Sequence, residues 1–304
     1  MQLVLTRRSF VRLLGGVALG HVAAACQSAS RSAPTPAPTA AAVAGGATTG
    51  PPAESGLALT LANSELAVGQ NRFAMAVLEQ GRTVANAAVT FEFFQLDGQN
   101  ATKRAEANGI YRSLLDGNKG IYVARVVFDR AGSWGAQVSV TRPDRPPLSG
   151  RTSFEVLAQG SAPMPGARAI PSHNPTARDV ANLTDICSAQ PPCDMHDLSI
   201  ADALSAAKLL MIAFATPGYC TSQTCAPVLG EVQKVKARLA DAANFVHVEI
   251  YKDPRNLVVA DAVTEWNLQS EPWVFVVDRG GTIVDRIESI TNAEELEASL
   301  STVI

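Results

Sequence analysis

Five cysteines are unevenly placed along the 304-residue chain, and four of them fall in two close pairs. Cys220 and Cys225 end the run Thr216-Pro-Gly-Tyr-Cys-Thr-Ser-Gln-Thr-Cys225. The run follows Leu209-Leu-Met-Ile-Ala-Phe-Ala215, a short apolar stretch that suits a buried strand. A helix is predicted from Ala226 to about Ala242, because Val228, Leu229, Val232, Val235 and Leu239 recur at helical spacing. A cysteine at a helix N-terminus faces unpaired N–H groups and the positive end of the dipole. Both favour the thiolate and lower its pKa from about 8.5 towards neutrality. Thiolate is the species that attacks a disulfide. Cys220 is the expected nucleophile, and Cys225 the expected resolving residue. On one regular helix, residues five apart stand about 140° apart around the axis. A bridge needs Cα atoms within about 7 Å. Cys220 must therefore sit in the turn before the helix, or the first turn must unwind.

The second pair lies in Cys187-Ser-Ala-Gln-Pro-Pro-Cys193-Asp-Met195-His196. In an exported chain, a surface loop closed by a structural disulfide is the expected reading. Two others stay open. Cys187 and Cys193 could exchange electrons with the Cys220 pair. Alternatively Cys187, Cys193, Met195 and His196 could hold copper(I), which soft thiolate and thioether ligands select. His247, on a predicted strand, is a further copper candidate, against the plainer role of a structural histidine. The spacing fits no zinc ribbon or finger, and no cofactor is expected.

These residues need a scaffold, and the rest of the chain supplies its outline. Hydrophobic residues make up 47%, charged residues 17%, and the formal net charge is −3. That composition is globular rather than disordered, and it lacks the basic surplus of a nucleic-acid binder. At about 150 residues per domain the length suggests two domains with residues to spare. Thr6-Arg7-Arg8-Ser9-Phe10-Val11-Arg12 precedes an apolar run, Leu13 to Ala25, too short for the about 20 residues of a membrane span. Paired arginines before a weakly hydrophobic run describe a twin-arginine export signal over residues 1–25. Ala23-Ala24-Ala25-Cys26 resembles a bacterial lipobox, which makes Cys26 the expected lipidation site. Residues 26–55 are rich in Ala, Ser, Thr, Pro and Gly, and form a low-complexity tether.

From residue 56 to 158 the periodicity is two. Strands are predicted at 57–62, 72–79, 88–96, 104–112, 121–129, 134–141 and 152–157. Turn residues such as Asp97-Gly98 and Asp116-Gly117-Asn118 separate several of them. Seven short strands at this spacing suggest an antiparallel sandwich. The run Gly120-Ile-Tyr-Val to Ala131-Gly-Ser-Trp134 resembles the late strands of immunoglobulin-like modules. Trp134 and Tyr122 are expected in its core rather than in a binding patch. A Pro-rich connector, residues 159–197, carries the second cysteine pair. Beyond it, residues 198–304 are predicted to alternate strand and helix, with a second helix at 257–266, a hairpin around Arg279-Gly280-Gly281 and a closing helix at 292–300.

That order resembles the thioredoxin family. Phe214-Ala-Thr-Pro-Gly-Tyr-Cys220 resembles its approach to the nucleophile, and Ala226-Pro-Val-Leu229 its Pro-containing first helix. Glu271-Pro272-Trp-Val-Phe-Val276 resembles the segment that holds its cis-proline. The resemblance implies that Pro272 places backbone beside the reactive sulfur. The gap of four residues between the cysteines departs from that family's Cys-x-x-Cys. It is similar instead to two-cysteine peroxiredoxins of the bacterioferritin-comigratory type, although Tyr219 is inserted and that family's arginine is replaced around Glu271-Pro272. Sco-type copper proteins offer a further likeness. The expected fold is an all-β immunoglobulin-like sandwich followed by an α/β thioredoxin-like domain. The expected function is an exported, lipid-anchored thiol–disulfide oxidoreductase at the extracytoplasmic face of a bacterial membrane. Its expected partners are protein disulfides or thiols and the membrane itself, without nucleic acid. The alternatives are a binding or scaffold lipoprotein with structural disulfides, Sco-like copper delivery, and a peroxiredoxin-like peroxidase.

Overall fold

A computed structural model describes residues 56–114 and 119–303. The expected export signal, the tether and Cys26 lie outside the described residues. All described residues belong to one compact unit. Among them, no helix is long and apolar enough to cross a membrane.

Residues 57–156 form eight strands: β1 (Leu57–Leu61), β2 (Gly69–Glu79), β3 (Arg82–Thr83), β4 (Ala88–Asp97), β5 (Asn100–Ser113), β6 (Gly120–Phe128), β7 (Gly132–Arg142) and β8 (Arg145–Val156). They pair in the order β1-β2-β6-β5-β4-β7-β8, with β3 on β2. This corrects the expected two-sheet sandwich: the strands make one continuous sheet. The cause is the length of β5. Its Asn100–Gly109 part pairs with β4, and its Ile110–Ser113 part pairs with β6. One strand thus joins what would otherwise be two sheets. Gly109 stands at the handover, where a Cβ would come 2.8 Å from Phe91 Cε2 and 3.2 Å from Tyr122 Cβ. The outer strands also approach each other. Leu157 N–H donates to the Leu66 carbonyl and Val68 N–H to the Leu157 carbonyl, at 2.8 and 2.9 Å. A Cβ on Gly150 in β8 would lie 3.1 Å from Leu59 in β1. The sheet is therefore nearly closed and barrel-like, which leaves little unpaired edge.

Alternate residues of these strands fill the barrel. Phe73, Phe91, Phe93, Phe128 and Trp134 are fully buried there, with Tyr122. Phe73 meets Phe93 edge-to-face at 4.9 Å, and Phe128 meets Trp134 the same way at 4.9 Å. Each such pair contributes about 0.5–1.5 kcal/mol beyond its buried area.

The remaining elements are α1 (Ile200–Ser205), β9 (Leu209–Ala215), α2 (Cys225–Leu239), β10 (Ala243–Glu249), β11 (Tyr251–Asp253), β12 (Val258–Val259), α3 (Asp261–Glu265), β13 (Trp273–Val277), β14 (Ile283–Glu288) and α4 (Ala293–Ser301). β10, β9, β13 and β14 form a four-stranded sheet in that order, in which only β9 and β10 run parallel. The expectation of an α/β thioredoxin-like domain is corrected. Strands hold 44% of the described residues and helices 16%, so the fold is mostly β, and no such domain is evident. The predicted second helix shrinks to the five residues of α3, because Val258–Val259 pairs with Tyr251–Asp253 as a hairpin.

The small sheet does not stand apart from the barrel. Ala74, Ile121 and Val123 of the barrel share a core with Met211, Val274, Val232 and Leu296. Arg72 of β2 is buried and reaches across to α4. Its Nε and Nη2 bond Glu295 Oε1 and Oε2 at 2.8 and 2.9 Å, and its Nη1 donates to the Glu288 carbonyl at 2.8 Å. Arg125 makes a bidentate pair with Asp285 at 2.5 and 2.6 Å. Ion pairs taken out of water need this kind of two-point geometry to offset desolvation.

Candidate functional site

β9 is buried along its whole length and delivers the chain to the first cysteine pair. A turn follows, in which the N–H groups of Tyr219 and Cys220 donate to the Thr216 carbonyl at 3.1 and 3.0 Å. Helix α2 then begins at Cys225 itself. The helix N-terminus is therefore the place of Cys225, and Cys220 lies in the preceding turn. Of the two arrangements that the spacing allows, this is the one with Cys220 in the turn before the helix, and it folds the two sulfurs back together. Cys220 Sγ, Cys225 Sγ and a Glu271 carboxylate oxygen all lie within 4.8 Å of one another. Both cysteines are free thiols. Cys225 is buried, and Cys220 is partly exposed.

The electrostatics separate the two sulfurs. The hydrogen bond with Cys225 is the main reason that the Cys220 pKa is lowered to about 4. Burial opposes it, and the Ser222 hydroxyl and the backbone N–H groups of Cys225 and Thr224 add to it. Ser222 Oγ sits 3.0 Å from Cys220 Sγ and 2.7 Å from Thr224 Oγ1. Helix α2 thus presents its first N–H groups to the sulfur of Cys220, as helix N-termini do to anions. Cys225 moves the other way: its hydrogen bond to Cys220 and its burial push its thiol up. Burial, and then the nearby Cys220 charge, push the Glu271 carboxyl up as well. The Glu271–Pro272 peptide bond is cis.

The second pair has other neighbours. Cys187 and Cys193, expected as a disulfide, are buried free thiols with sulfurs 3.9 Å apart. Two imidazoles face them. Cys193 Sγ lies 3.3 Å from His196 Nε2 and 3.3 Å from His247 Nδ1, and Cys187 Sγ lies 3.7 Å from His247 Nδ1. The two ring nitrogens are 3.2 Å apart. The hydrogen bond with Cys193 holds the Cys187 thiol below its usual range, and the same contact with burial pushes Cys193 up. His247 belongs to β10, so the sheet brings it to the connector across 51 residues of sequence from His196. Met195 differs from the other copper candidates. Its side chain packs in the apolar core, and its carbonyl accepts the His247 N–H at 2.8 Å.

Several site residues escape a reading of the sequence. Glu271 was legible only as the neighbour of Pro272, and its approach to both sulfurs depends on the β13 register. Ser222 and Tyr251 carry no motif. Burial raises the Tyr251 pKa, and the charges of Glu271, Cys220 and Cys225 add to the rise. The β11–β12 hairpin exposes Leu257, Val258 and Val259, and Tyr219 is exposed next to Cys220.

No family model matches the chain, and no curated protein matches it. Among solved structures, it is similar to a DUF4426 family protein from Pseudomonas aeruginosa PAO1. The two are 17% identical, the match covers 34% of this chain and 94% of that one, and the TM-score is 0.25.

Proposed function

We propose that the chain is a thiol–disulfide oxidoreductase with Cys220 as nucleophile and Cys225 as resolving cysteine. One observation supports this most: two free sulfurs and a carboxylate gathered at the start of α2, the lower-pKa sulfur partly exposed and the higher one buried. In the reducing direction, Cys220 thiolate attacks one sulfur of a substrate disulfide. A Cys220–substrate S–S bond forms, the substrate bond breaks, and the other substrate sulfur leaves as thiolate and takes a proton from water. Cys225 then gives its proton to the Glu271 carboxylate and attacks the Cys220 sulfur. The Cys220–Cys225 bond forms and the second substrate sulfur leaves as a thiolate. The substrate gains two electrons and the protein loses two. The reverse sequence oxidises a dithiol.

Protein disulfides or thiols fit this site as substrates, because the exposed ring of Tyr219, next to Cys220 in the chain, offers a polypeptide apolar surface. In the same reading the protein is exported by the Arg7-Arg8 signal and lipid-anchored at Cys26, which the sequence Ala23-Ala24-Ala25-Cys26 supports. The test is trapping. Cys225→Ser should accumulate a mixed disulfide through Cys220 when offered a protein disulfide, and Cys220→Ser should accumulate none. Equal trapping by both variants, or none by either, would overturn the reading.

A further inference from the structure

We propose that Cys187, Cys193, His196 and His247 bind one zinc(II) ion as a closed four-ligand site. The four ligand atoms converge on a common point, all within 4.8 Å of one another, and all four residues are buried. Their separations can be compared with an ion at their centre. Zinc–sulfur bonds are about 2.3 Å and zinc–nitrogen bonds about 2.05 Å. At tetrahedral angles, two sulfurs then stand about 3.8 Å apart, two nitrogens about 3.3 Å, and a sulfur and a nitrogen about 3.6 Å. The sulfurs here are 3.9 Å apart and the nitrogens 3.2 Å; Cys193 Sγ lies 3.3 Å from each imidazole nitrogen and Cys187 Sγ 3.7 Å from that of His247.

The surroundings agree. His247 Nε2 is 3.1 Å from the Ala215 carbonyl, which can only accept. That bond fixes the proton on Nε2 and leaves the Nδ1 lone pair aimed at the other three ligand atoms. A carbonyl on the outer nitrogen is the usual way in which a metal-bound histidine is oriented. The Cys193 N–H donates to Cys187 Sγ at 3.3 Å, which suits a sulfur that carries charge. Two thiolates and two imidazoles in a tetrahedral, solvent-free arrangement select zinc, and four protein ligands leave no open position for catalysis. The site therefore ties the connector loop to β10 and shares no ligand with the Cys220 pair. It would not be found by spacing, because the fourth ligand arrives from a distant strand.

The test uses the full chain, purified reduced without chelator, with metal content measured before and after dialysis against a chelator. The expected result is one zinc per chain, recovered on adding zinc(II) alone. Cobalt(II) in its place should show the strong visible bands of tetrahedral coordination with thiolate charge transfer. Cys193→Ser and His247→Gln should each lower zinc affinity by more than the about 10–100-fold that an outer-shell change costs. The double variant Cys220→Ser, Cys225→Ser should retain it, so failure here is distinct from failure of the redox reading. A fold-independent measurement uses the unaltered chain. Zinc should block alkylation of Cys187 and Cys193, and chelator should restore it. The assignment is overturned if the purified chain carries copper instead of zinc, if cobalt is six-coordinate, if zinc leaves both thiols reactive, or if the double variant loses the metal.

Discussion

The reactivity of Cys220 towards a small disulfide should be nearly independent of pH between 5 and 8. Its pKa of about 4 means that nearly all of it is thiolate across this range. A free cysteine of pKa about 8.5 is about 0.03% thiolate at pH 5 and about 24% at pH 8, so its rate climbs about 800-fold. Ionised fraction alone favours Cys220 about 3,000-fold at pH 5. Intrinsic nucleophilicity takes part of that back. With a Brønsted coefficient of about 0.4–0.5 over about 4.5 pKa units, the less basic thiolate is about 60–180-fold slower per ion. The net expectation is that Cys220 reacts about 20–50-fold faster than free cysteine at pH 5, matches it near about pH 6.5, and is slower at pH 8. The assay is stopped-flow reaction with a dipyridyl disulfide, with the modified peptide identified by mass spectrometry. Cys225→Ala removes the leading cause of the low pKa and should move the inflection up towards neutrality. Ser222→Ala should move it up by less. A Cys220 rate that rises in parallel with free cysteine from pH 5 to 8 would refute the electrostatic argument.

Other consequences can be measured on the same protein. Replacing Arg72 by Leu strands the buried Glu295 carboxylate and should cost about 3–5 kcal/mol in denaturant unfolding at pH 7. Burial pushes Glu295 up, but Arg72, Thr291 and Arg112 outweigh it and its pKa is lowered. The stability of this pair is therefore present above the unfolded value of about 4.3 and lost as pH falls through the lower folded one, so unfolding of the unaltered chain should ease below about pH 4. Glu288 has the opposite sign: burial raises its pKa despite bonds from Ser64 and Ser270. Glu288→Gln should be neutral or stabilising at pH 7, with no gain near pH 4, in the same unfolding assay. Val258→Asp should raise KM for a protein disulfide while leaving turnover of a small dipyridyl disulfide unchanged; equal loss on both would remove the hairpin from substrate binding.

Local structure was legible wherever one strong pattern decided it. The unbroken apolar run before Thr216 gave β9, and the helical spacing of Val228, Val232 and Val235 gave the buried face of α2. The alternation from Leu57 onward located the barrel strands to within a few residues at most ends, with β8 starting seven residues early at Arg145. What no local pattern contains is which partner a strand takes. β5 reads the same whether it stays in one sheet or passes between two, so its shared pairing and the nearly closed barrel came only from the fold. The same holds for the sites. Cys220 and Cys225 are close in sequence and could be paired on paper. Glu271 and His247 reach their sites through the registers of β13 and β10, which composition and spacing do not encode.

The two cysteine sites are physically joined, and the join is specific. Ser188 follows Cys187, and its Oγ accepts the Gly218 N–H at 2.9 Å, two residues before Cys220. Its own N–H donates to Glu249 Oε2 at 2.7 Å, at the end of the β10 strand that carries His247. A Cβ on Gly218 would come 3.0 Å from Ser188 Cβ, so a glycine there lets the turn lie close against this loop. The loop that ends in Cys193 and His196 is thus the wall against which the Cys220 turn is laid. A short loop with two prolines and no regular hydrogen bonding cannot hold such a wall by itself. On the zinc proposal four side chains joined through one ion can, since they fix the loop to β10, where the Ala215 carbonyl of β9 orients His247. Rigid support matters at Cys220, because its pKa rests on hydrogen bonds from Cys225, Ser222 and the first amides of α2, which weaken steeply with misalignment. On the zinc proposal the buried cluster does no chemistry of its own; it holds the Cys220 sulfur where the helix can keep it ionised.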